Sequence, residues 1–264
     1  MRLLFVLGFM VLVMGAAWAW QKRMKDIGWV DVFWTFGTAE AGFALAWFGG
    51  HGDWPRRLLV SVVVAIWAVR LGLYVAVRVA SAPQEDGRYR ELRKDWGAAL
   101  QTRLFWFLQV QAVVSTGLAL SIAAAANRPG ARLGPGDLLG VAIAAIAIGG
   151  ETLADRQLAA FRRDPANAGR ICDVGLWGWS RHPNYLFEWL GWFAYPAFAI
   201  DLSGAYPIGW WALLAPAAMF AVLRFGTGVP PLEAHMRRTR GADFDTYSDR
   251  VPIFLPLAIR RSPS

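Results

Sequence analysis

Cysteine occurs once in this chain, at Cys172, and histidine three times, at His51, His182 and His235. One cysteine excludes an intramolecular disulfide and any multi-cysteine zinc or iron–sulfur site, and histidines so far apart form no local metal motif. Charge is scarce as well. Only 17% of the 264 residues are Asp, Glu, Lys or Arg, against roughly a quarter in a soluble domain. The chain has no Gly-x-Gly-x-x-Gly after a strand-like stretch and no Gly-x-x-x-x-Gly-Lys-Ser/Thr run, so a nucleotide would have to be held by helices and loops. Internal repeats, heptad arrays and long Pro/Ser linkers are missing too, and residues 1–264 read as a single domain. What the sequence has in excess is apolar surface: 56% of residues are hydrophobic, with 15 Trp and 16 Phe, in long blocks. That pattern predicts an all-α integral membrane protein.

A helix needs about 20 mostly apolar residues to cross the hydrocarbon core. Seven stretches come close: 3–20, 29–48, 58–77, 104–126, 137–153, 183–200 and 206–225. The fifth and sixth are short and carry acids. Charge tests the count independently. With seven spans, 21 of the 27 basic residues fall on one face and five on the other, with Arg70 inside a span. Positive residues collect on the cytoplasmic side, so the expected topology has the N-terminus outside and the C-terminus in the cytoplasm. Basic residues follow the first apolar run rather than lead it, which predicts a retained helix instead of a cleaved signal peptide. Spread along one membrane face, the net charge of +8 speaks for orientation rather than nucleic-acid binding.

Ionisable groups inside a bilayer are costly and mark functional positions or structural pairs. The candidates are Glu40, Arg70, Glu151, Asp155 and Glu188, with Asp31 near an interface. Arg70 with Glu40 would make an ordinary intramembrane pair. Glu151 and Asp155 are four apart and share a helix face, as do Asn184 and Glu188, and Arg181 and Tyr185. Pro183 fits the first turn of a helix, so Ser180 or His182 would precede a helix start that favours an anion. Arg162, Arg163, Arg170 and Arg181 add fork-shaped donors suited to phosphate. The run 88–93 reads as a solvated or headgroup-facing helix, His235 as exposed and Cys172 as a small filler. The tail 233–247 either folds back as a lid or ends the chain.

Several of these runs resemble the steroid 5-alpha-reductase superfamily of membrane proteins, in particular its bacterial branch described as a domain of unknown function. The likeness rests on Gly175-Leu176-Trp177, on Ser180-Arg181-His182-Pro183-Asn184-Tyr185 with Glu188, and on Glu151-Thr152-Leu153-Ala154-Asp155-Arg156-Gln157-Leu158 with Phe161. Gly228-Val229-Pro230-Pro231-Leu232-Glu233 and Phe244, Tyr247, Phe254 and Pro256 extend it. It is strong over 140–256 and looser over 26–110. Part of the Arg-His-Pro-Asn-Tyr run recurs in related membrane methyltransferases.

The resemblance implies a bundle of about seven helices that binds NADPH from the cytosol and reduces a C=C bond conjugated to a ketone in a steroid or other lipid. Asp155, Arg162, Arg170, Asn184, Glu188 and Arg224 match family positions near the cofactor, with Glu151, Arg181, His182, Tyr185 and Tyr247 as neighbours. Such a reaction needs a donor for the developing enolate. The family supplies it from a Glu and a Tyr on the second and third helices. Here Trp67 stands at the Tyr position, and Glu40 and Asp31 are both candidates for the acid. Two other readings stay open: an S-adenosylmethionine-dependent methyltransferase of lipid or prenyl-cysteine type, and a transporter or non-catalytic lipid-binding protein.

Overall fold

A computed structural model describes residues 1–48, 50, 52–130 and 132–255; His51, Pro256, Arg260 and Arg261 lie outside these. Eleven α-helices and no strand occur among the described residues: α1 (Arg2–Met24), α2 (Trp29–Phe48), α3 (Trp54–Ser81), α4 (Gly87–Trp96), α5 (Leu100–Ala126), α6 (Pro135–Arg163), α7 (Pro183–Gly191), α8 (Ala194–Ala199), α9 (Leu214–Phe225), α10 (Val229–Arg240) and α11 (Ala242–Arg250). Five helical segments are long and apolar enough to cross a bilayer: Arg2–Met24, Trp54–Ser81, Gly87–Ala126, Pro135–Arg163 and Pro207–Arg240. The chain is therefore a multi-pass membrane protein.

Two expected spans take a different form. Over 29–48 the helix has the expected bounds, but Asp31, Glu40 and several small or polar residues dilute its hydropathy below that of the five. The stretch 183–200 is broken at Trp192 and Phe193. Pro196 has no N–H to offer the Trp192 carbonyl, and its ring crowds that oxygen. Even so, α7 and α8 continue antiparallel along α6. The Phe187 ring lies on Gly150, Gly191 on Ala147, and the Phe198 ring on Gly140. Small residues at these positions let the two backbones approach, as packing inside a membrane favours. The fifth expected span, 137–153, is the first part of a longer α6 that continues to Arg163, so Glu151 and Asp155 sit within a helix rather than at its end.

Two interiors share α2 and α5. One packs α1 against them through Met10, Met14, Leu104 and Leu108. The other joins α2, α3 and α5 to α6–α9 through Val60, Val64, Leu118, Trp192 and Phe198.

Each end of the bundle is closed by an ion-pair device. At one end, Arg56, 1% exposed, donates to Asp137 at 2.9 and 3.0 Å and to the carbonyls of Arg128 and Gly130, both at 2.8 Å. This fixes the α5–α6 connection. At the opposite, basic end the tail folds back: α10 covers α4, with His235 Nδ1 3.1 Å from Glu91 and Arg238 paired with the same carboxylate. Neither α4 nor His235 is therefore simply solvated. Tyr89 and Glu91 are buried and His235 is half-buried, because α10 removes that face from water.

Candidate functional site

Helix α3 packs on α2 and α5 but meets α6 and α7 mainly through long side chains. Those side chains form the most concentrated polar group at membrane depth. Arg70 on α3 reaches across to α6, where Nη1 lies 2.7 Å from Glu151 Oε1, Nη2 pairs with Asp155, and Nε donates to Thr152 Oγ1 at 3.1 Å. Three side chains within little more than one turn of α6 thus hold one guanidinium. The expected partner Glu40 is not among them. Glu40 is exposed on α2, with no hydrogen bond or ion pair among the described residues. The 3.6-residue period turns it well away from the buried Thr35 and Thr38.

One turn before Arg70, the Trp67 indole N–H donates to Glu188 Oε2 at 2.9 Å, while Trp192 donates to Oε1 at 2.9 Å. Both carboxylate oxygens are thereby hydrogen-bonded in a site 8% exposed. Trp67 and Trp192 also pack edge to face at 5.2 Å. Glu151 and Glu188 share the wall of a cavity of about 20 Å³ with Tyr195, Ile148 and Phe187. That volume suits a single water molecule. Towards the basic end the network continues through Tyr74, whose hydroxyl lies beside Asp155, and whose ring carries Arg70 at 5.4 Å and Arg78 at 5.7 Å.

Asp31 belongs to a second group. Arg88 reaches it at 2.9 Å and the Tyr89 hydroxyl donates to it at 2.7 Å. Tyr185 stands near Arg88, Asp86 and Arg78. Asp31 is held as an acceptor and does not border the acid-lined cavity.

The Arg-His-Pro-Asn-Tyr run divides by face. Arg181 donates to Glu233 at 2.8 Å and to the carbonyls of Ser248 and Val251 at 2.8 and 2.6 Å. His182 Nε2 lies 3.0 Å from the same Glu233 oxygen, and its ring stacks on Tyr185 at 5.5 Å. Burial pushes the His182 imidazole below its usual range, so it is neutral at pH 7. Its Nδ1 has no partner among the described residues, which makes Nε2–H the donor to Glu233. The Arg181 and His182 amides bond to the carbonyls of Pro252 and Ile253 at 2.8 and 3.3 Å, and Ser180 Oγ donates to Ile253 O at 2.8 Å. The expected anion site just before α7 is thus covered by residues 252 and 253. Tyr247 is also structural: buried, it donates to the Trp177 carbonyl at 2.7 Å.

The remaining candidates are open. Asn184 is half-buried with no hydrogen bond among the described residues, and Arg162 is exposed without an ion pair there. Arg170 is exposed, its guanidinium hydrogen-bonded to Asn167 at 3.5 Å, and Arg224 lies over the Phe225 ring at 5.1 Å. Cys172 is buried and free, the filler it was read to be. No group of three or more His, Cys, Asp or Glu able to hold a metal ion occurs among the described residues. Sequence reading missed Trp67 and Trp192 as ligands of Glu188, and Glu233 as the hub of the tail. Their partners are 121, 4 and 52 positions away. Only the i, i+4 spacing of Glu188 and Trp192 was visible beforehand.

Residues 17–251 match the model of DUF1295, described as a protein of unknown function. The chain belongs to the DUF1295 family. The matched region takes in both the α3–α6–α7 polar group and the folded-back tail, so both devices lie inside the DUF1295 domain. No curated protein and no solved structure matches the chain.

Proposed function

We propose that this DUF1295 protein is a membrane-embedded, NADPH-dependent reductase acting on a C=C bond conjugated to a ketone in a steroid or other lipid. Its basic end faces the cytoplasm and the broken α7–α8 pair completes seven traverses. The observation that carries this reading is the placement of Glu151, Asp155, Glu188 and Arg70 at membrane depth, next to open cationic and amide groups towards the basic end. The resemblance to steroid 5-alpha-reductases supports it.

The residues fit the cofactor in part. Arg162, Arg170 and Arg224 have no competing carboxylate, and Asn184 has unused amide donors and acceptor; these suit a phosphate-rich dinucleotide. Arg181 and Tyr247 do not fit, because their polar atoms hold the tail, and His182 commits Nε2 to Glu233 with only its buried Nδ1 left over. When bound, NADPH would supply the hydride. The chain's own task is to orient the lipid and supply a hydrogen bond to the ketone oxygen as charge develops there. Neither Glu40 nor Asp31 borders the small acid-lined cavity, whereas Glu151 and Tyr195 do. The Tyr195 phenol, on the wall of that cavity, can serve as such a donor. Arg70 fixes one Glu151 oxygen and leaves the carboxyl rotationally defined, and the Trp67–Glu188–Trp192 triad fixes the opposite wall.

Thermal stabilisation of the purified protein by NADPH, NADH and S-adenosylmethionine tests the reading, since a ligand that binds only the folded state raises its stability. Stabilisation by NADPH that weakens in Asn184→Ala and Arg162→Gln is expected. Stabilisation by S-adenosylmethionine alone would replace the reductase with a methyl transferase, and stabilisation by none of the three would end the enzyme reading.

A further inference from the structure

The acid-lined cavity has room for about one water, so the lipid of the proposed reaction must reach it from elsewhere. A groove of about 480 Å³ runs along the outside of α7, walled by Trp179, Leu186, Leu190, Phe193 and Phe254 among others. Its volume is that of a ligand site. The wall is wholly apolar: the hydroxyl of Ser180, which also borders it, is turned onto Ile253 O at 2.8 Å. One side is rigid, because Trp189 is tied by its indole N–H to Pro216 O at 2.9 Å and packs on Phe193, Phe220 and Phe254.

Two features identify what the groove holds. From Pro183 to Phe193 is ten residues, about 15 Å of helix rise, half of a hydrocarbon core about 30 Å thick. The groove begins at the basic end beside Trp179, 75% exposed as an interfacial anchor would be, and ends near the bilayer middle. Length, depth and lining match one hydrocarbon chain of one leaflet. Phe187 is the second feature. It borders both the groove and the acid-lined cavity. Its ring rests in the space where a β-carbon on Gly150 would lie, and it has no ring partner among the described residues.

We propose that the groove seats a single hydrocarbon chain of a membrane lipid, acyl or isoprenoid, and that Phe187 is the gate between that chain and the Glu151–Glu188 cavity. Swinging of the ring off Gly150 joins the two spaces, so a chain-bearing lipid enters sideways from the leaflet at the basic end. The gate rests on the reductase reading; the groove does not.

The test uses the full chain in phosphatidylethanolamine–phosphatidylglycerol vesicles with a trace of phosphatidylcholine bearing a diazirine at the end of one acyl chain. Cross-links are mapped by mass spectrometry. Labelling of Leu186, Leu190 and Phe254 is expected to exceed that of Val62 and Val69, exposed on α3, several-fold. Filling the groove with Leu190→Trp, or with Leu186→Phe if the first variant unfolds, should remove the excess and leave α3 labelling unchanged. Equal labelling of groove and α3, or an excess that survives filling, overturns the groove. An excess that appears only when residues 256–264 are deleted assigns the groove to the chain's own tail and overturns it equally. Phe187→Ala should carry label through to Ile148 and Tyr195, and label stopping at the groove in that variant overturns the gate. NADPH-dependent thermal stabilisation, measured on the same samples, keeps the outcomes apart. Its presence without groove labelling removes the groove alone. Its loss with groove labelling intact removes the reductase and the gate's purpose, and leaves a lipid-binding groove.

Discussion

Replacing Arg70 by methionine tests whether the α3–α6 contact is electrostatic. In the folded chain Arg70 is 14% exposed at its side chain, and Glu151 and Asp155 are 7% and 6% exposed. Removal of one partner of a buried pair costs about 3–5 kcal/mol, because the other charge stays behind without compensation. Two carboxylates share this cation, and the middle of that range, about 4 kcal/mol, is taken. At 2–4 °C per kcal/mol for a large domain this corresponds to a fall in Tm of roughly 10 °C. The assay is unfolding in mixed micelles followed by tryptophan fluorescence, to which the site residues Trp67 and Trp192 contribute among the chain's 15 tryptophans. Combining Arg70→Met with Glu151→Gln and Asp155→Asn leaves no charge to strand and should recover most of the loss. Thr152→Ala alone, which removes the charge-assisted hydrogen bond from Arg70 Nε and the Thr152 hydroxyl's own bond to the Ile148 carbonyl, should cost about 2 kcal/mol. A single-variant loss below about 1 kcal/mol, or a triple variant no more stable than the single one, refutes the reasoning.

Three further outcomes follow from the same structure. Arg56→Lys should destabilise by about 3 kcal/mol in the same unfolding assay, since an ammonium cannot satisfy Asp137 and the surrounding carbonyls together; wild-type stability would show that the guanidinium geometry is irrelevant. Arg181→Gln frees Ser248 and Val251 and should speed limited proteolysis of the tail around α11 while the bundle stays protected, so unchanged cleavage would mean the tail is held by other contacts. Asp86, in the α3–α4 connection, is pushed up by burial but pulled further down by Arg88, Arg78 and the Arg88 amide, to about 2. Its folded value lies below its ordinary 3.8, so the stability it contributes, about 2 kcal/mol, is complete above that value and is lost as pH falls towards 2. A titration in Asp86→Asn should flatten stability between pH 4 and 2, taken as about the window those values set, and an unchanged slope would exclude Asp86 as the titrating group.

Much of the bundle was legible from periodicity and hydropathy alone. A continuous apolar block long enough to span lipid has no alternative to a helix, because every backbone N–H and C=O must be paired within the segment. For that reason α1, α2, α3, α5 and α6 appear where the runs of apolar residues placed them. The i, i+4 spacing of Glu151 and Asp155 fixed their common face before any partner was known. Composition also excluded a cysteine-based metal centre, since Cys172 is the single cysteine.

Which groups meet across helices was settled only by the tertiary structure. Nothing local to Arg70 chooses between Glu40 and the Glu151–Asp155 pair; the rotation of α2, which turns Glu40 outward, makes the choice. The Arg-His-Pro-Asn-Tyr run had the composition of a phosphate site, yet Glu233 and the carbonyls of 248–253 reached Arg181 and His182 first, because the tail folds back over the start of α7. Trp67 could be read only as a missing tyrosine until α7 brought Glu188 against its indole N–H. Local sequence decides the conformation and the facing of each helix through short-range hydrogen bonds and solvation. The pairing of charges dozens of residues apart depends on how those faces rotate and pack, and there the same side chain becomes either a ligand or a brace.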